Sequence, residues 1–362
     1  TCLIVSLVSP DNIKVNKFSD YISKEEISYI YNNSKKDLSI NDIKNLKKDD
    51  IKIGEHAYAG ALRFFAKTKI DDEKNAKDIL LKYLNAAIIS QTVTENILKQ
   101  NDYDHIFSNH GIYVPHGVII DIARKKNIPT STWCPGYRKN SFCISIGDTY
   151  HRSLIYENNA NWENLDLNKE LDNKITKYLE SRKIGTNDWI HFYKKTPNFN
   201  AESYFKEIGV DKNKPLIGLA TSVLWDAQID FPSNFYKDQL EWIFDTINFF
   251  LENQNIQLII RVSPAETNYT KPSRQKVFDE VMKKFKQLSS NIFIIKPEDT
   301  ISSYAVLEKC EYTIIYGSRI GIELAAVGKK VIVCGEGFIR NKKIAVDITS
   351  REHYLDCLNK IS

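Results

Sequence analysis

No stretch of this chain approaches the run of about 20 apolar residues that a membrane-spanning helix needs, so a soluble protein is expected. Charge of one sign is also missing. Against 50 Lys and Arg stand 46 Asp and Glu, a net +4, and the lysines are scattered among acids instead of forming a block. That distribution sets aside a dedicated nucleic-acid binder, while mild basicity suits an anionic substrate or a membrane surface. The six cysteines, Cys2, Cys134, Cys143, Cys310, Cys334 and Cys357, include no CxxC pair, and most lie in apolar runs where a thiol behaves as a small hydrophobe. A reducing cytoplasm is therefore the expected compartment. Neither a P-loop lysine motif nor GxGxxG is present, which removes ATPase and dehydrogenase readings. There is no HxxxH and no Cys/His cluster at ligand spacing, and the one DxD, Asp102-Tyr103-Asp104, precedes its strand, so no metal site and no cofactor are expected. Internal repeats and low-complexity tracts are absent as well.

What is there is an ordinary globular composition, 42% hydrophobic and 11% aromatic over 362 residues. That length exceeds what one core usually serves, and two domains of roughly 150 to 200 residues are expected. The chain enters a strand-like run at 2–8 directly after Thr1, which suggests a piece of a longer chain. A charged stretch to about Asp78 gives no clear elements. Beyond it the pattern predicts a helix at 84–99, then a strand at 105–107, a helix at 114–126 and strands at 128–133 and 142–146, read as parallel from their β-α-β order. From 157 to 205 the sequence turns polar, with a helix expected at 167–183, and reads as a connecting region. The boundary is placed near 200, giving an N-terminal domain at 1–200, a C-terminal one at 201–345, and a last helix at 346–362 that packs back on the N-terminal domain.

The second half is more regular. Strands are expected at 215–220, 257–262, 291–295, 312–316 and 330–334, alternating with helices at 240–253, 275–288, 302–309 and 318–327, the pattern of an open doubly wound sheet. Gly317-Ser318-Arg319-Ile320-Gly321-Ile322-Glu323 lies between the last two strands and opens a helix. Ser318 is placed as its N-cap, Gly321 for close packing, and Gly328 at its end. Such an N-terminus at the carboxyl end of a parallel strand offers N–H groups and positive dipole to a phosphate. Arg319 and Glu323 stand four apart, so a surface pair on the helix is the alternative.

Other polar residues gather after strand ends, where such sheets place ligands. Thr221 and Ser222 follow the first strand. Arg261-Val262-Ser263-Pro264-Ala265-Glu266 follows the second, with Arg261 alternatively a structural ion pair, and Lys296-Pro297-Glu298 follows the third. Together they point to a nucleotide phosphate site.

The runs Arg261 to Glu266, Ser302-Ser303-Tyr304-Ala305-Val306-Leu307 and Gly317 to Ile332 resemble the donor-binding domain of GT-B glycosyltransferases, particularly bacterial capsule and surface-polysaccharide synthesis enzymes. The resemblance implies two Rossmann-like doubly wound α/β domains facing across a cleft, with the nucleotide sugar held by the C-terminal one. It also implies that Glu323 binds the donor ribose, that Gly317, Ser318 and the helix N-terminus bind its phosphate, and that the backbone from Lys296 through Pro297 to Glu298 binds its base. Ser263 stands where many relatives carry His, and Arg319 where a small hydroxyl residue is common.

In the first half, Ser108-Asn109-His110-Gly111 follows a strand and precedes a helix, placing His110 as a candidate general base at neutral pH, or alternatively as a helix cap. Asn109 and Gly111, with Trp133, Tyr137 and Arg138 of the aromatic and basic loop 133–139, are candidates for an acceptor; loop aromatics also serve as packing anchors. Asp148, His151 and Arg152 lie past the next strand, and His116 is a weaker candidate than His110. The expected function is metal-independent transfer of a sugar from a nucleotide donor to a hydroxyl of a surface glycan or lipid-linked acceptor, with Arg261 or Arg319 stabilising the leaving phosphate. Its expected partners are the nucleotide sugar and that acceptor, at the inner face of the cytoplasmic membrane, and no nucleic acid. The alternatives are a sugar-nucleotide 2-epimerase of the same architecture and a non-catalytic nucleotide- or glycan-binding domain of a larger protein.

Overall fold

A six-stranded parallel sheet dominates the second half of the chain in the computed structural model, which describes residues 15–33, 37–190, 192–193, 195–227, 235–268 and 271–361, with only the backbone of Asn161. The strand expected at 2–8 lies outside these residues. The chain divides into two compact units, one comprising residues up to 60 together with 74–131, the other 61–73 together with 132–362.

In the first unit, the charged stretch that gave no clear elements from sequence is helical. Ser23 opens the helix Lys24–Asn32 with a capping box, accepting from the Glu26 N–H while the Glu26 carboxylate accepts from the Ser23 N–H. Ser39 and Asp42 do the same for Ile40–Lys44. The long helix Ala76–Gln100 buries Leu80, Leu84 and Ala87 along one side and Val93 on the other, where it packs with Tyr21 and Ile22. Strand β1 (Ile106–Asn109) and the helix His116–Lys125 follow, close to the expected bounds.

The division between the units falls inside β2 (Thr130–Pro135), the middle strand of a three-stranded sheet ordered β1-β2-β3, with β3 at Phe142–Ile146. Only the turn 136–141 joins β2 to β3, far too short for the crossover that parallel neighbours require. β2 and β3 are thus an antiparallel hairpin, and the parallel reading of that pair is corrected.

In the second unit the strands are β4 (Leu216–Ala220), β5 (Gln257–Arg261), β6 (Ile292–Ile295), β7 (Tyr312–Ile315), β8 (Lys330–Val333) and β9 (Val346–Asp347), in the order β6-β5-β4-β7-β8-β9. The first five match the expected strands to within a residue or so; the two-residue β9 had no sequence signal. Alternate residues serve opposite faces. Leu219, Ile260, Ile314 and Ile332 pack beneath the helix Gln239–Glu252 with Trp242 and Phe250, whereas Ala220, Ile259, Ile315 and Val331 pack on Leu307 and Leu324. A sheet buried on both faces reads in sequence as continuous apolar runs, which is why these strands were visible.

Two expectations change here. The helix Lys169–Ile184 and residues 61–73 belong to the second unit, so the boundary near 200 gives way to one inside β2. The last helix, Arg351–Ile361, buries Tyr354 and Leu358 in the second unit's own core, where Tyr354 Oη meets Thr246 Oγ1 at 2.7 Å. Its apolar i, i+4 pair is thereby satisfied, and the expected packing on the N-terminal domain is corrected.

Phe250 is fully buried, whereas Phe244, two turns earlier on the same helix, is only partly so. Phe250→Ala should therefore cost about 3–5 kcal/mol in urea denaturation, and Phe244→Ala clearly less. Equal costs would contradict this placement of the core.

Candidate functional site

Strand order reverses at β4, with β5 and β6 to one side and β7 to β9 to the other. Chains leaving the carboxyl ends of β4 and β7 diverge to opposite faces there and open a crevice, the usual ligand position in such sheets. A cavity of about 350 Å³ occupies that place, lined after β4 by Thr221 and Ser222, after β5 by Ser263 and Pro264, and after β7 by Gly317, Ser318 and Arg319. All its walls belong to the second unit.

Backbone contacts fix the floor. The Ser263 N–H donates to Thr221 Oγ1 at 3.0 Å, and the Ser222 N–H to Gln239 Oε1 at 2.8 Å. A Cβ on Gly317 would lie 2.6 Å from the Glu336 backbone oxygen, so only glycine allows this approach. Arg261 is buried beneath: Nε donates to Ser303 Oγ at 3.0 Å, Nη1 to Lys296 O at 2.6 Å, and Nη2 to Asp299 O and Ile301 O, each at 3.4 Å. Its partners are mostly main-chain carbonyls, so the alternative of a structural ion pair is replaced by a clamp on the loop after β6.

The wall opposite comes from the region read as a connector. Arg182, near the end of the helix Lys169–Ile184, donates through Nε to Glu323 Oε1 at 2.8 Å and through Nη1 to Asp188 Oδ2 at 2.6 Å. Glu323 Oε2 accepts from Tyr304 Oη at 2.6 Å. Burial works against the Arg182 charge, but Glu323 and Asp188 outweigh it and hold the guanidinium firmly protonated. Burial, then the Glu323 charge, pushes the Tyr304 phenol well above its ordinary range. The expected alternative pair of Arg319 with Glu323 does not form.

Arg319 is held by aromatic faces, its guanidinium carbon 4.1 Å from the Tyr137 ring centre and 5.2 Å from that of Phe338. Among the described residues no carboxylate lies within ion-pair distance of it. Tyr137 is fixed in turn by the 136–141 turn, where the Trp189 N–H donates to Tyr137 O at 3.1 Å and the Lys139 N–H to Asn187 O at 2.9 Å. His151 also lines the cavity, with Nδ1 2.9 Å from Thr149 Oγ1 and its ring against Tyr150. Burial raises the carboxyl of Glu336, another wall residue.

Of the expected donor-site residues, Thr221, Ser222, Arg261, Ser263, Gly317, Ser318, Arg319 and Glu323 converge on this cavity, joined by Tyr137 from the expected acceptor set. Ser318 is not the N-cap, however. The helix runs Ile320–Ala326 with Arg319 at the cap position and no side-chain cap bond, because the chain already turns through Gly321 N–H to Ser318 O. Lys296, Pro297 and Glu266 fall outside the wall. Lys296 extends its ammonium over the Phe278 ring instead. Glu266 is 1% exposed, and its Oε1 accepts from the N–H of Val277 at the start of the helix Val277–Phe285. Trp133 packs edge-on against Phe142, Arg138 is exposed on the turn, and Asn109, His110 and Gly111 belong to the first unit. Asp148 is engaged by Arg152 at 2.8 Å. Sequence reasoning missed Arg182, Tyr193, Tyr304 and Phe338; only the basic end of a polar helix hinted at the first.

No protein-family model and no curated protein matches the chain. Among solved structures, the KpsC beta Kdo 2,4 transferase of Thermosulfurimonas dismutans is similar at 14% identity with a TM-score of 0.44, over 66% of this chain and 71% of that one. The beta Kdo 2,7 transferase KpsC of the same organism is similar at 14% identity and a TM-score of 0.41, over 71% and 74%. A Methanocaldococcus jannaschii UDP-GlcNAc 2-epimerase, in complex with UDP-GlcNAc and UDP, is similar at 14% identity and a TM-score of 0.33, over 88% and 89%. These are two transferases and an epimerase, and likenesses this slight assign no activity to the chain.

Burial pushes the Glu266 carboxyl up to about 7 from 4.5. Between those values the native chain holds a proton that the unfolded chain has released, so stability is fully present below 4.5, falls as pH rises, and is lost above 7. The loss amounts to roughly 3 kcal/mol. Urea denaturation at pH 5 and pH 8 should show the native sequence losing clearly more than Glu266→Gln, which cannot ionise. Parallel losses would rule out a buried neutral carboxyl.

Proposed function

We propose that the cavity at the β4/β7 reversal holds the nucleotide-sugar donor of a glycosyltransferase, which moves the sugar to a hydroxyl of a surface polysaccharide or lipid-linked glycan. Arg319 is the observation that carries this reading: a guanidinium lining the cavity at three strand ends, seated on two rings and matched by no nearby carboxylate. An anionic ligand is what such a charge is placed to meet. Gly317 and Ser318 would bring backbone N–H groups to the phosphate, and Thr221, Ser222 and Ser263 would supply hydroxyls around it. Glu323, oriented by Arg182 and Tyr304, keeps acceptor capacity for a ribose hydroxyl. As the glycosidic bond breaks, charge develops on the departing phosphate, and Arg319 would stabilise it without a metal. Arg261, spent on carbonyls, serves the floor and not this step.

For a transfer that inverts the anomeric centre the general base would be His110, with His151 as the second candidate because it lines the cavity and is held at Nδ1 by Thr149. The 2-epimerase reading draws support from His151, Asp226 and Glu336, titratable groups that share the cavity as proton transfer at C2 requires.

Thermal shift with UDP, GDP, CMP and CDP is the first test, since a ligand at a hundred times its Kd stabilises by about 2.7 kcal/mol. At least one should raise the melting point, and Arg319→Ala should weaken that ligand by roughly tenfold or more, the worth of one charged hydrogen bond. No shift with any nucleotide sinks the donor site. With a donor that binds, slow nucleotide release insensitive to chelator supports transfer, deuterium incorporation at C2 supports the epimerase, and binding without turnover supports a binding module. A drop of about 10²-fold or more for either His110→Ala or His151→Ala identifies the base; unchanged turnover in both removes the assignment.

A further inference from the structure

The hairpin of β2 and β3 places two cysteines face to face. Gly136 donates its N–H to Ser141 O at 2.8 Å, which sets Gly136 opposite Ser141. Two residues back along each strand, Cys134 stands opposite Cys143, again as a hydrogen-bonded pair. The edge contact of Trp133 with Phe142, at 5.6 Å between ring centres, is the diagonal neighbour this register demands on the other face. Cα atoms of such a pair lie about 5.5 Å apart, inside the span of about 4.4–6.8 Å that a disulfide bridges. Both thiols are free here; Cys134 is buried and Cys143 half-buried.

We propose that Cys134 and Cys143 form a reversible redox pair, oxidised to a cross-strand disulfide by thiol–disulfide exchange with a small-molecule disulfide. The partly exposed Cys143 reacts first: its thiolate attacks one sulfur of the small disulfide, forms a mixed disulfide and expels one small thiolate. Cys134 then gives up its proton to the small thiolate already expelled and attacks the Cys143 sulfur, expelling the second. Two protein thiols are oxidised to one disulfide while one small disulfide is reduced to two thiols. The electrostatics agree with this order. A hydrogen bond from Cys134, aided by the Arg319 charge, holds the Cys143 thiol below its usual range, whereas that same bond and burial push Cys134 up. Once Cys143 is capped, its charge no longer opposes ionisation of Cys134. The pair stands whatever ligand the cavity takes.

Arg138 and Lys139 lie between the two cysteines, so trypsin puts them on separate peptides. The native chain incubated with oxidised glutathione at neutral pH, alkylated, digested and mapped without reductant should yield the Cys134–Cys143 linked peptides, reversed by dithiothreitol. Loss of the Cys143 thiol should outpace that of Cys357, also partly exposed but held protonated by burial, by about tenfold or more. Cys134→Ser should stop at a glutathione adduct on Cys143, and Cys143→Ser should leave Cys134 reduced. The proposal is overturned if Cys143 in the native chain ends as the glutathione adduct, if both cysteines stay reduced, or if Cys134 reacts equally fast in Cys143→Ser.

Discussion

The Arg182 guanidinium is the interaction on which the cavity depends. It is nearly buried, and it faces two carboxylates, Asp188 and Glu323, that would otherwise repel one another at the edge of the cavity. Removing it would strand two charges, whereas together the three groups tie the end of a polar helix to the helix Ile320–Ala326. The pairing also decides the charge of the site. Because Glu323 is already answered by Arg182 and by the Tyr304 hydroxyl, it does not compete for Arg319, four residues earlier on the same turn.

Much of this was legible in the sequence where burial leaves a local trace. Parallel strands covered on both faces read as apolar runs, and the polar residues at their carboxyl ends named most of the cavity's floor before any coordinates. Ion pairs across long separations leave no such trace. Arg182 and Glu323 are 141 residues apart, and the helix carrying Arg182 buries no side chain completely, so its stretch reads as a linker. Glu266 misled for the converse reason. It sits in a polar segment after a strand end, but a single turn carries it inward to cap another helix. Ser318 misled because serine before an apolar run is a cap signal that the turn at Gly321 overrides. The capping boxes of the first unit, Ser23 with Glu26 and Ser39 with Asp42, were readable signals passed over amid so much charge.

Arg319 shows why an aromatic seat differs from an ionic one. A carboxylate beside a guanidinium fixes its position but neutralises it and occupies its N–H edge. Ring faces attract the cation through their quadrupole, worth about 0.5–2 kcal/mol, and leave both the charge and the in-plane donors available. Tyr137 and Phe338 come from opposite ends of the second unit's sequence, one on the turn of the β2–β3 hairpin, the other past β8. The hairpin therefore positions the cation as well as the cysteine pair. Lysine at 319 would keep the charge but lose the planar group that can lie on both rings while presenting several donors.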